Sequence, residues 1–314
     1  MNVGERWMRW TLLEAGTKTA SKVLQKVVGN ASVTFAHTFL ATLVIGLVQT
    51  VTGFVVTRTQ KTKLWPERES VAGACLFGFF AVLSTVFGFG AFYYGGDMGV
   101  NTFIITLSIV PGALIDWHFF GKRLVAREWV GIGVAILAGY AILGRPAFQE
   151  VLHLPLWVWL SIGTMFTVAV NQGITQKVKK IDPFVKNFWG GLTTVALCSI
   201  AIIAIGGAKT LVNFSGAAKL LGVSAIIGVI VVGMWAFNLL SYKGGASIAL
   251  KKLVMNGTYL TTAMVCGTLF FGEPVSLEKG VGVILYLGAF VLMDKNTWEF
   301  VSRSRAVKTY VATS

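Results

Sequence analysis

The stretch FGEPVS at residues 271–276 follows a long apolar run, and FGKRL at residues 120–124 follows an earlier apolar run in the same way. Each stretch leads into another apolar segment that carries a glycine near its start, Gly131 in one case and Gly282 in the other. Two more short matches keep the same order along the chain, GG at 95–96 and 244–245, and GT at 16–17 and 163–164. The matched positions lie 147 to 151 residues apart, and this nearly constant offset indicates an internal repeat.

The composition places this repeat in a membrane. Of the 314 residues, 55% are hydrophobic and only 13% are charged, and the mean hydropathy is +0.72. Soluble domains carry about 25% charged residues, so the chain is too apolar to be one. Apolar segments of about 20 residues are long enough to cross a bilayer as helices. The sequence predicts ten helices, at about residues 6–28, 33–56, 69–94, 98–120, 127–143, 154–176, 184–205, 219–242, 246–271 and 277–293.

The ten predicted helices divide five and five at the corner formed by residues 144–146. A unit with an odd number of membrane crossings reverses its direction when it is repeated. We therefore expect an all-α membrane protein with ten transmembrane helices arranged as two inverted five-helix repeats. The first repeat covers residues 1–146 and the second covers residues 147–293, followed by a polar cytoplasmic tail at residues 294–314.

The basic residues predict the orientation, because short cytoplasmic loops are enriched in Lys and Arg. With the N-terminus in the cytoplasm, the cytoplasmic segments hold 18 of the 27 Lys and Arg residues and the external loops hold four. Both termini are then cytoplasmic, and the expected location is the plasma or inner membrane. The five remaining basic residues lie inside predicted helices and are Lys18, Lys22, Lys26, Lys251 and Lys252.

Several classes of function are disfavoured. The formal charge of +14 is explained by the loops and the tail, and no nucleic-acid-binding module can be recognised. The three cysteines lie in apolar runs without metal-ligand spacing, and no phosphate-binding loop or catalytic motif is present. We therefore expect no enzyme activity, no cofactor, no metal and no nucleic-acid partner.

The segments at residues 101–143 and 250–293 resemble the EamA-type repeat of the drug/metabolite transporter superfamily. The resemblance rests on Phe-Gly followed by Glu or Lys after an apolar helix, and on the glycine-rich helix that comes next. The second half is the better match, because Lys122 stands in the first half where that family usually has Glu. The resemblance implies a carrier that opens alternately to each side. Its central cavity would be walled by predicted helices 1, 3, 4, 6, 8 and 9, with helices 5 and 10 as peripheral scaffold.

Two narrower resemblances point to different substrates. Lys251 and Lys252, followed by the FGEPVS stretch, are similar to the triose-phosphate and nucleotide-sugar transporter branch, which binds anionic phosphorylated substrates. The basic residue that this branch carries in helix 4 is not visible here. Glu14, followed by GT at 16–17, is similar to the first helix of small multidrug resistance transporters, in which a membrane glutamate exchanges protons for cationic drugs. The spacing after Glu14 is one residue short of that pattern.

A charged stripe runs along predicted helix 1. Glu14, Lys18, Lys22 and Lys26 recur every four residues and therefore lie on one side of the helix. Glu14 and Lys18 are in the favourable i,i+4 order and can partly neutralise each other, whereas Lys22 has no acidic neighbour on the helix. Such a helix either lies in the membrane interface or crosses the membrane with its charges facing a wet cavity. The match to predicted helix 6 favours crossing, because an interfacial helix would break the five-plus-five repeat.

Lys251 and Lys252 lie deep in predicted helix 9. A lysine at mid-bilayer costs about 2.5–3.5 kcal/mol to insert, and ionisable groups at this depth are by default candidates for function. We expect these lysines, with Lys22, to bind an anionic substrate. The alternatives are pairing with a carboxylate such as Glu14 or Asp116, or extension of the side chain to the end of the helix.

Asp116 and His118 follow Pro111 near the end of predicted helix 4 and are candidates for a proton-coupling pair. Both positions also suit polar residues at the level of the lipid headgroups. Glu14 and Lys18 are the other candidates for coupling. The remaining candidates for substrate binding are Asn238, Asn256, Tyr259 and Trp235. The alternative role is helix–helix hydrogen bonding for the asparagines, and contact with lipid or core packing for the two aromatic residues.

The expected function is secondary active transport of a small polar, anionic metabolite by alternating access, coupled to protons or to a counter-substrate. One alternative is a proton-coupled exporter of cationic or amphipathic compounds that uses Glu14. Another is a membrane scaffold subunit that transports nothing, since a fold does not imply a function. The expected partners are the small-molecule substrate and membrane lipid, and a homodimer is left open.

Overall fold

Helices account for all the regular secondary structure that the computed structural model of this chain describes. It describes residues 3–121, 125–143, 153–205, 216–246, 248–274, 276–293 and 298, except for the side chains at 3–6, 248–250, 252–254, 290 and 293. The helices are α1 (Val3–Ala31), α2 (Ala36–Thr59), α3 (Arg68–Tyr93), α4 (Met98–Thr106), α5 (Ile109–Phe120), α6 (Ala126–Ile142), α7 (Leu156–Lys177), α8 (Pro183–Ala204), α9 (Ala217–Lys243), α10 (Ile248–Phe271) and α11 (Leu277–Met293). The predicted all-α class is confirmed over these residues.

The predicted segments are helical, and their outer ends lie within three residues of the observed ends. Local capping fixes some of these ends. Asp97 accepts the Val100 amide at the start of α4, and Asp182 caps α8 immediately before Pro183, whose missing amide hydrogen is not needed at a first helical position. The predicted polar tail at residues 294–314 lies outside the described residues, apart from position 298.

One predicted helix, at residues 98–120, is divided into α4 and α5. Pro111 causes the break, because it lacks an amide hydrogen and its ring clashes with the preceding turn of a regular helix. The Val110 amide bonds to the carbonyl three residues earlier. The Thr106 carbonyl accepts hydrogen bonds from Asn256 Nδ2 and from the Tyr286 hydroxyl, both at 3.2 Å. Side chains of α10 and α11 thus satisfy the backbone at the break, as a membrane interior requires.

Five helical segments in the described part of the chain are long and apolar enough to cross a membrane, namely α2, α3, the α4–α5 segment, α8 and α9. Large apolar side chains point outward from them. Ile203 of α8 is 74% exposed, and Val229 of α9 is 64% exposed. Lipid accommodates such side chains at no cost, whereas large apolar patches are rare on soluble proteins. The chain therefore has the character of a multi-pass membrane protein.

The helices pack in pairs that join the two halves of the chain. α2 packs along α8, α6 along α11, α1 along α9, and α3 along α7. Glycines allow α2 and α8 to approach closely. A Cβ atom added to Gly53 would lie 2.6 Å from Phe188 N, and one added to Gly46 would lie 2.7 Å from the Thr194 side chain. Small residues at such contacts stabilise helix pairs in membranes by allowing tight packing.

Among the described residues, four glycines adopt positive φ angles at turns between helices, where a side chain would be strained. Gly95 (82°) follows α3 and Gly245 (96°) follows α9, and each donates its amide to the carbonyl three residues earlier. Gly121 (66°) follows α5 and Gly272 (64°) follows α10. The paired turns are 150 and 151 residues apart. By φ angle, Gly95 matches Gly245, the second glycine of the later GG stretch, whereas the sequence comparison pairs it with Gly244.

α1 is packed among the other helices with its charged side inward. It contacts α3, α9 and α10. Glu14, Lys22 and Lys26 are only 2%, 4% and 8% exposed, while Leu12 and Leu13 are 46% and 48% exposed. A helix of a soluble protein has the opposite arrangement, with its apolar side toward the core. The reversed arrangement suits a helix that presents its apolar side to lipid and its charges to a polar interior.

Candidate functional site

A cavity lies among the helices, and its empty space, which includes the solvent at its open side, is about 990 Å³. Its described lining residues come from α1, α2, α3, α4, α7, α8, α9 and α10, and none of them belongs to α6 or α11. These helices include every one that the family resemblance assigns to a cavity wall, and α6 and α11 are the two that it assigns to the periphery. The polar side chains of the lining include Glu14, Lys18, Lys22, Gln49, Gln172 and Asn238.

Glu14 forms a buried ion pair at the edge of this cavity. Its Oε2 atom lies 2.8 Å from Lys251 Nζ, and the two side chains are 3% and 0% exposed. Its Oε1 atom accepts a hydrogen bond of 2.8 Å from Asn238 Nδ2. In a low-dielectric interior this attraction offsets part of the desolvation of both charges. The partner of Glu14 in the described part of the chain is therefore a lysine of α10, not Lys18, which helix spacing favours.

Polar groups of α7 and α9 enclose Lys251. Its Nζ atom donates to Gln172 Oε1 (3.3 Å) and to Asn238 O (3.4 Å), and it lies 4.3 Å from the centroid of the Tyr242 ring. Gln172 Oε1 also accepts hydrogen bonds from the Tyr242 hydroxyl (2.6 Å) and from Asn238 Nδ2 (3.2 Å). This network joins α1, α7, α9 and α10. Lys251 is fully buried and does not line the cavity, whereas its partners Glu14, Gln172 and Asn238 do.

Two lysines of α1 line the cavity with their ammonium groups over aromatic rings. Lys18 Nζ lies 4.4 Å from the centroid of Tyr259, and Lys22 Nζ lies 4.6 Å from that of Phe92. Cation–π contacts contribute about 0.5–2 kcal/mol but leave the charge in place. Neither ammonium group forms an ion pair with a described carboxylate. These two groups are therefore available to an anion inside the cavity.

Lys186 is a buried lysine that the sequence analysis counts among the cytoplasmic basic residues, because it lies in the first turn of the helix predicted at residues 184–205, and the structure corrects this. It follows a basic loop and the cap of α8, which is why its position suggests solvent. Its side chain is instead 0% exposed, donates to Thr175 Oγ1 at 2.9 Å, and lies 3.6 Å from the centroid of the Phe77 ring. The apolar and aromatic residues that flank it, VKNFW at 185–189, are the only local signal of its burial.

Trp235 and Tyr259 line the cavity, as does Asn238. Trp235 packs edge-on against Phe77, with ring centroids 4.5 Å apart, so it both lines the cavity and packs in the hydrophobic core. Lys252 follows Lys251 on α10, but its side chain lies outside the described residues. The structure thus brings the candidates Lys18, Lys22, Glu14, Asn238, Trp235 and Tyr259 to one cavity.

Besides Lys251, which was predicted to bind substrate, three other candidates are not part of the cavity lining. Asn256 bonds to the Tyr286 hydroxyl (3.0 Å) and to the carbonyl at the α4–α5 break, so its role is to join helices. Asp116 and His118 lie on α5 in different surroundings, since Asp116 is 5% exposed while His118 is exposed and stacks edge-on against Phe119. Two residues separated by one position point to different sides of a helix, which explains why this predicted coupling pair is not brought together.

A second charged cluster joins the end of α1 to the turns before α4 and after α10. Lys26 forms an ion pair with Glu273, the carboxylate of the FGEPVS stretch. Glu273 also accepts the amides of Met98 (2.5 Å) and Gly99 (3.1 Å) at the start of α4. Partial positive charge at a helix N-terminus favours a carboxylate there. Glu273 therefore satisfies a buried lysine and two otherwise unpaired amides at once.

Asp97 and Lys279 extend this second cluster. Lys279 Nζ lies 2.7 Å from Asp97 Oδ2 and also donates to Pro274 O at 2.8 Å. Burial opposes ionisation of Asp97, but hydrogen bonds from Lys279 and from the Val100 amide hold the pKa of its carboxyl below its usual value. A lowered folded-state pKa contributes stability above the unfolded pKa of about 4, and that contribution is lost as the pH falls through the folded pKa.

The cavity offers ammonium groups, amides, hydroxyls and aromatic faces, which together can bind a polar anion without reacting with it. Over the described residues, no group of three or more His, Cys, Asp or Glu side chains could hold a metal ion.

Comparison with known proteins bears on the fold. No protein-family model and no curated protein matches the sequence. A solved structure, described only as a crystal structure of a protein, is similar over 93% of this chain and 98% of its own, with a TM-score of 0.61 and 15% sequence identity. At this identity the likeness shows that nearly the whole helical arrangement recurs in another protein, and it carries no information on substrate.

Proposed function

We propose that this chain is a secondary active transporter, of the drug/metabolite transporter superfamily, that moves a small anionic metabolite across a membrane by alternating access. The observation that carries the proposal is the position of Lys18 and Lys22, which line the cavity without forming an ion pair with a carboxylate of the described residues. A charge at membrane depth is costly, and an anion bound beside it offsets that cost. Lys22 and Lys18 are then the charged ligands of the substrate.

The proposal includes ten membrane-spanning segments in two inverted repeats, α1 to α6 and α7 to α11, with α4 and α5 together forming one segment. The helix contacts support it. When each helix is replaced by its counterpart in the other repeat, every pair of helices in contact gives a pair that is also in contact. The α1–α9 contact becomes α7–α3, the α3–α8 contact becomes α9–α2, and the α2–α8 and α6–α11 contacts map onto themselves. The paired positive-φ glycines support the same exchange. A two-fold axis in the membrane plane produces this pattern.

Two ion pairs flank the cavity along α1, and we assign them to its two ends. Glu14 pairs with Lys251, and Lys26 pairs with Glu273. The two α1 residues are 12 positions apart, or about 18 Å along a helix. A substrate held beside Lys22 would lie between them. Alternating access would then require each ion pair, or the helices that carry it, to separate in turn.

The proposed orientation places both termini in the cytoplasm, in a plasma or inner membrane. Its support is the distribution of basic residues. Moving Lys186 from the cytoplasmic count to the interior leaves 17 of the 27 Lys and Arg residues on that side, so the bias remains strong.

Glu14 supports a second candidate function, proton-coupled export of cationic compounds, because its buried carboxylate lines the cavity. Its ion pair with Lys251 and the neighbouring Lys18 and Lys22 argue against this, since all three ammonium groups repel a cation. A scaffold without transport has no need of unpaired charges around a cavity. The anion carrier therefore ranks first.

Binding measurements on the purified protein test the proposal. Phosphate, phosphorylated sugars, carboxylates and amino acids are titrated against the wild type, Lys22→Met and the control Lys177→Met, which removes an exposed lysine at the end of α7. We expect at least one anion to bind the wild type and the control alike, and Lys22→Met to lose about 10- to 100-fold in affinity, as expected for a charged hydrogen bond. Undiminished anion affinity in Lys22→Met would contradict the assignment.

A further inference from the structure

Gln49 of α2 is a lining residue of the cavity, and its amide group has no hydrogen-bond partner among the described residues. The side chain is 1% exposed, and both Nε2 and Oε1 are buried and unsatisfied. A buried polar group without a partner costs about 1–3 kcal/mol, and a primary amide carries two donors and an acceptor with two lone pairs. A leucine at this position would avoid that cost entirely, so packing alone does not account for an amide here.

The other described amides of the lining each have at least one hydrogen bond to a protein group, although Asn238 Oδ1 has none, and Gln25 donates to Ser21 Oγ at 3.4 Å. Gln172 accepts three hydrogen bonds, as described above. Asn238 donates to Glu14 and to Gln172. In the orientation that satisfies both of its atoms, Asn171 donates to Phe77 O (3.1 Å) and accepts from the amide of Ala81 (3.2 Å). Among the described lining residues, Gln49 is therefore the amide whose nitrogen and oxygen atoms are both buried without a partner.

Gln49 and Lys22 face the cavity from different walls. Lys22 lies on α1 and Gln49 on α2, and α3 and α9 each pack against both of these helices. The α2 backbone is fixed at this level, because a Cβ atom added to Gly191 of α8 would lie 2.9 Å from Gln49 Cβ and 2.8 Å from Thr50 N. A ligand in the cavity thus meets a charged wall on one helix and a rigidly mounted, unsatisfied amide on another.

We propose that Gln49 is a specificity-determining residue that selects, among small anions, those that also carry a hydroxyl group. The inference rests on the proposed function, in which Lys22 and Lys18 hold the anionic group. A hydroxyl both donates and accepts, so it satisfies the Oε1 and Nε2 atoms of Gln49 together. A site built to hydrogen-bond a hydroxyl rejects the analogue that lacks it, because the protein group is then left unpaired. The charged part of the ligand is a carboxylate or a phosphate.

Matched pairs of anions test this selection directly on the full-length wild-type protein. The pairs are lactate with propionate, and glycerol 3-phosphate with propyl phosphate, and the measured quantity is the ratio of dissociation constants within each pair. We expect the hydroxylated member of at least one pair to bind about tenfold more tightly, the equivalent of one hydrogen bond. The pair that shows the preference identifies the charged group. Equal affinities within both pairs would overturn the role of Gln49 while leaving the anion carrier intact. Failure to bind any of the four anions would overturn both proposals.

Gln49→Leu assigns the preference to this residue, and Gln172→Leu is the matched control. We expect Gln49→Leu to bind the two members of the preferred pair equally, with unchanged affinity for the member that lacks the hydroxyl. We also expect its ligand-free melting temperature to equal or exceed that of the wild type, since an unsatisfied amide has been removed, whereas Gln172→Leu should melt lower because three hydrogen bonds are lost. A Gln49→Leu protein that keeps the preference, or that is destabilised as much as Gln172→Leu, would show that Gln49 is a packing residue and contradict the inference.

Discussion

Glu14 has two lysines within reach, Lys18 one turn away on the same helix and Lys251 on α10. Spacing of four residues on a helix gives a stabilisation of only about 0.2–0.5 kcal/mol, which applies to helices in water. The α10 lysine is fully buried, and leaving it unpaired would be far more costly. The Glu14 carboxylate therefore pairs with Lys251 at 2.8 Å, and Lys18 faces the cavity instead.

Removing either member of this pair should destabilise the protein more than removing both. Glu14→Gln leaves Lys251 buried without a carboxylate, and Lys251→Met leaves Glu14 without an ammonium group. We expect each single variant to lose about 3–5 kcal/mol of stability and the double variant to recover most of it. Thermal unfolding of the purified proteins measures the effect. Additive losses in the double variant would mean that the two side chains do not act as a pair.

The residues that matter at the site were only partly predictable. A lysine or glutamate in an apolar run is conspicuous, so Glu14, Lys22 and Lys251 could be singled out from the sequence. Lys186 follows a basic loop and resembles a surface residue, and a glutamine such as Gln49 is not costly enough in a membrane helix to attract attention. Their roles depend on contacts with helices that are distant in sequence, which no local pattern contains.

At the level of elements, the helices were predictable because each is a long apolar run that ends at charged or turn-forming residues. The break between α4 and α5 is a local effect of Pro111, but its compensation by Asn256 and Tyr286 is not, since those side chains come from α10 and α11. The inward orientation of the charged side of α1 likewise depends on its neighbours α3, α9 and α10. Sequence alone left the interfacial alternative open.

Glu273 should be the more important of the two carboxylates that gather at the start of α4. Glu273→Gln removes the charge that neutralises Lys26, whose side chain is only 10% exposed, and we expect a loss of about 3 kcal/mol. Asp97→Asn keeps a good helix cap and breaks a more exposed ion pair, for which we expect a loss of about 1 kcal/mol or less. Melting temperatures of the two variants give the comparison. A larger loss in Asp97→Asn would contradict the assigned role of Glu273.

At the level of the whole molecule, weak motif matches at a nearly constant offset predict two related halves. The sequence could not show how the halves meet, because the α2–α8 and α6–α11 contacts join positions far apart in the chain. The cavity between the halves is a consequence of that meeting, and so is its excess of positive charge. A carrier, a channel and a scaffold can share such an arrangement, so a measurement of substrate flux is needed to distinguish them.

Counterflow in proteoliposomes tests anion transport by alternating access most directly. Vesicles containing the purified protein are loaded with an excess of each of the four unlabelled anions in turn, and uptake of the same labelled anion from outside is followed over time. A carrier that exchanges one anion for another predicts transient accumulation of label above its equilibrium level with the wild type and Lys177→Met, and a large loss of this overshoot with Lys22→Met. Absence of overshoot for every anion in the wild type, or an overshoot of equal size in Lys22→Met, would contradict the account.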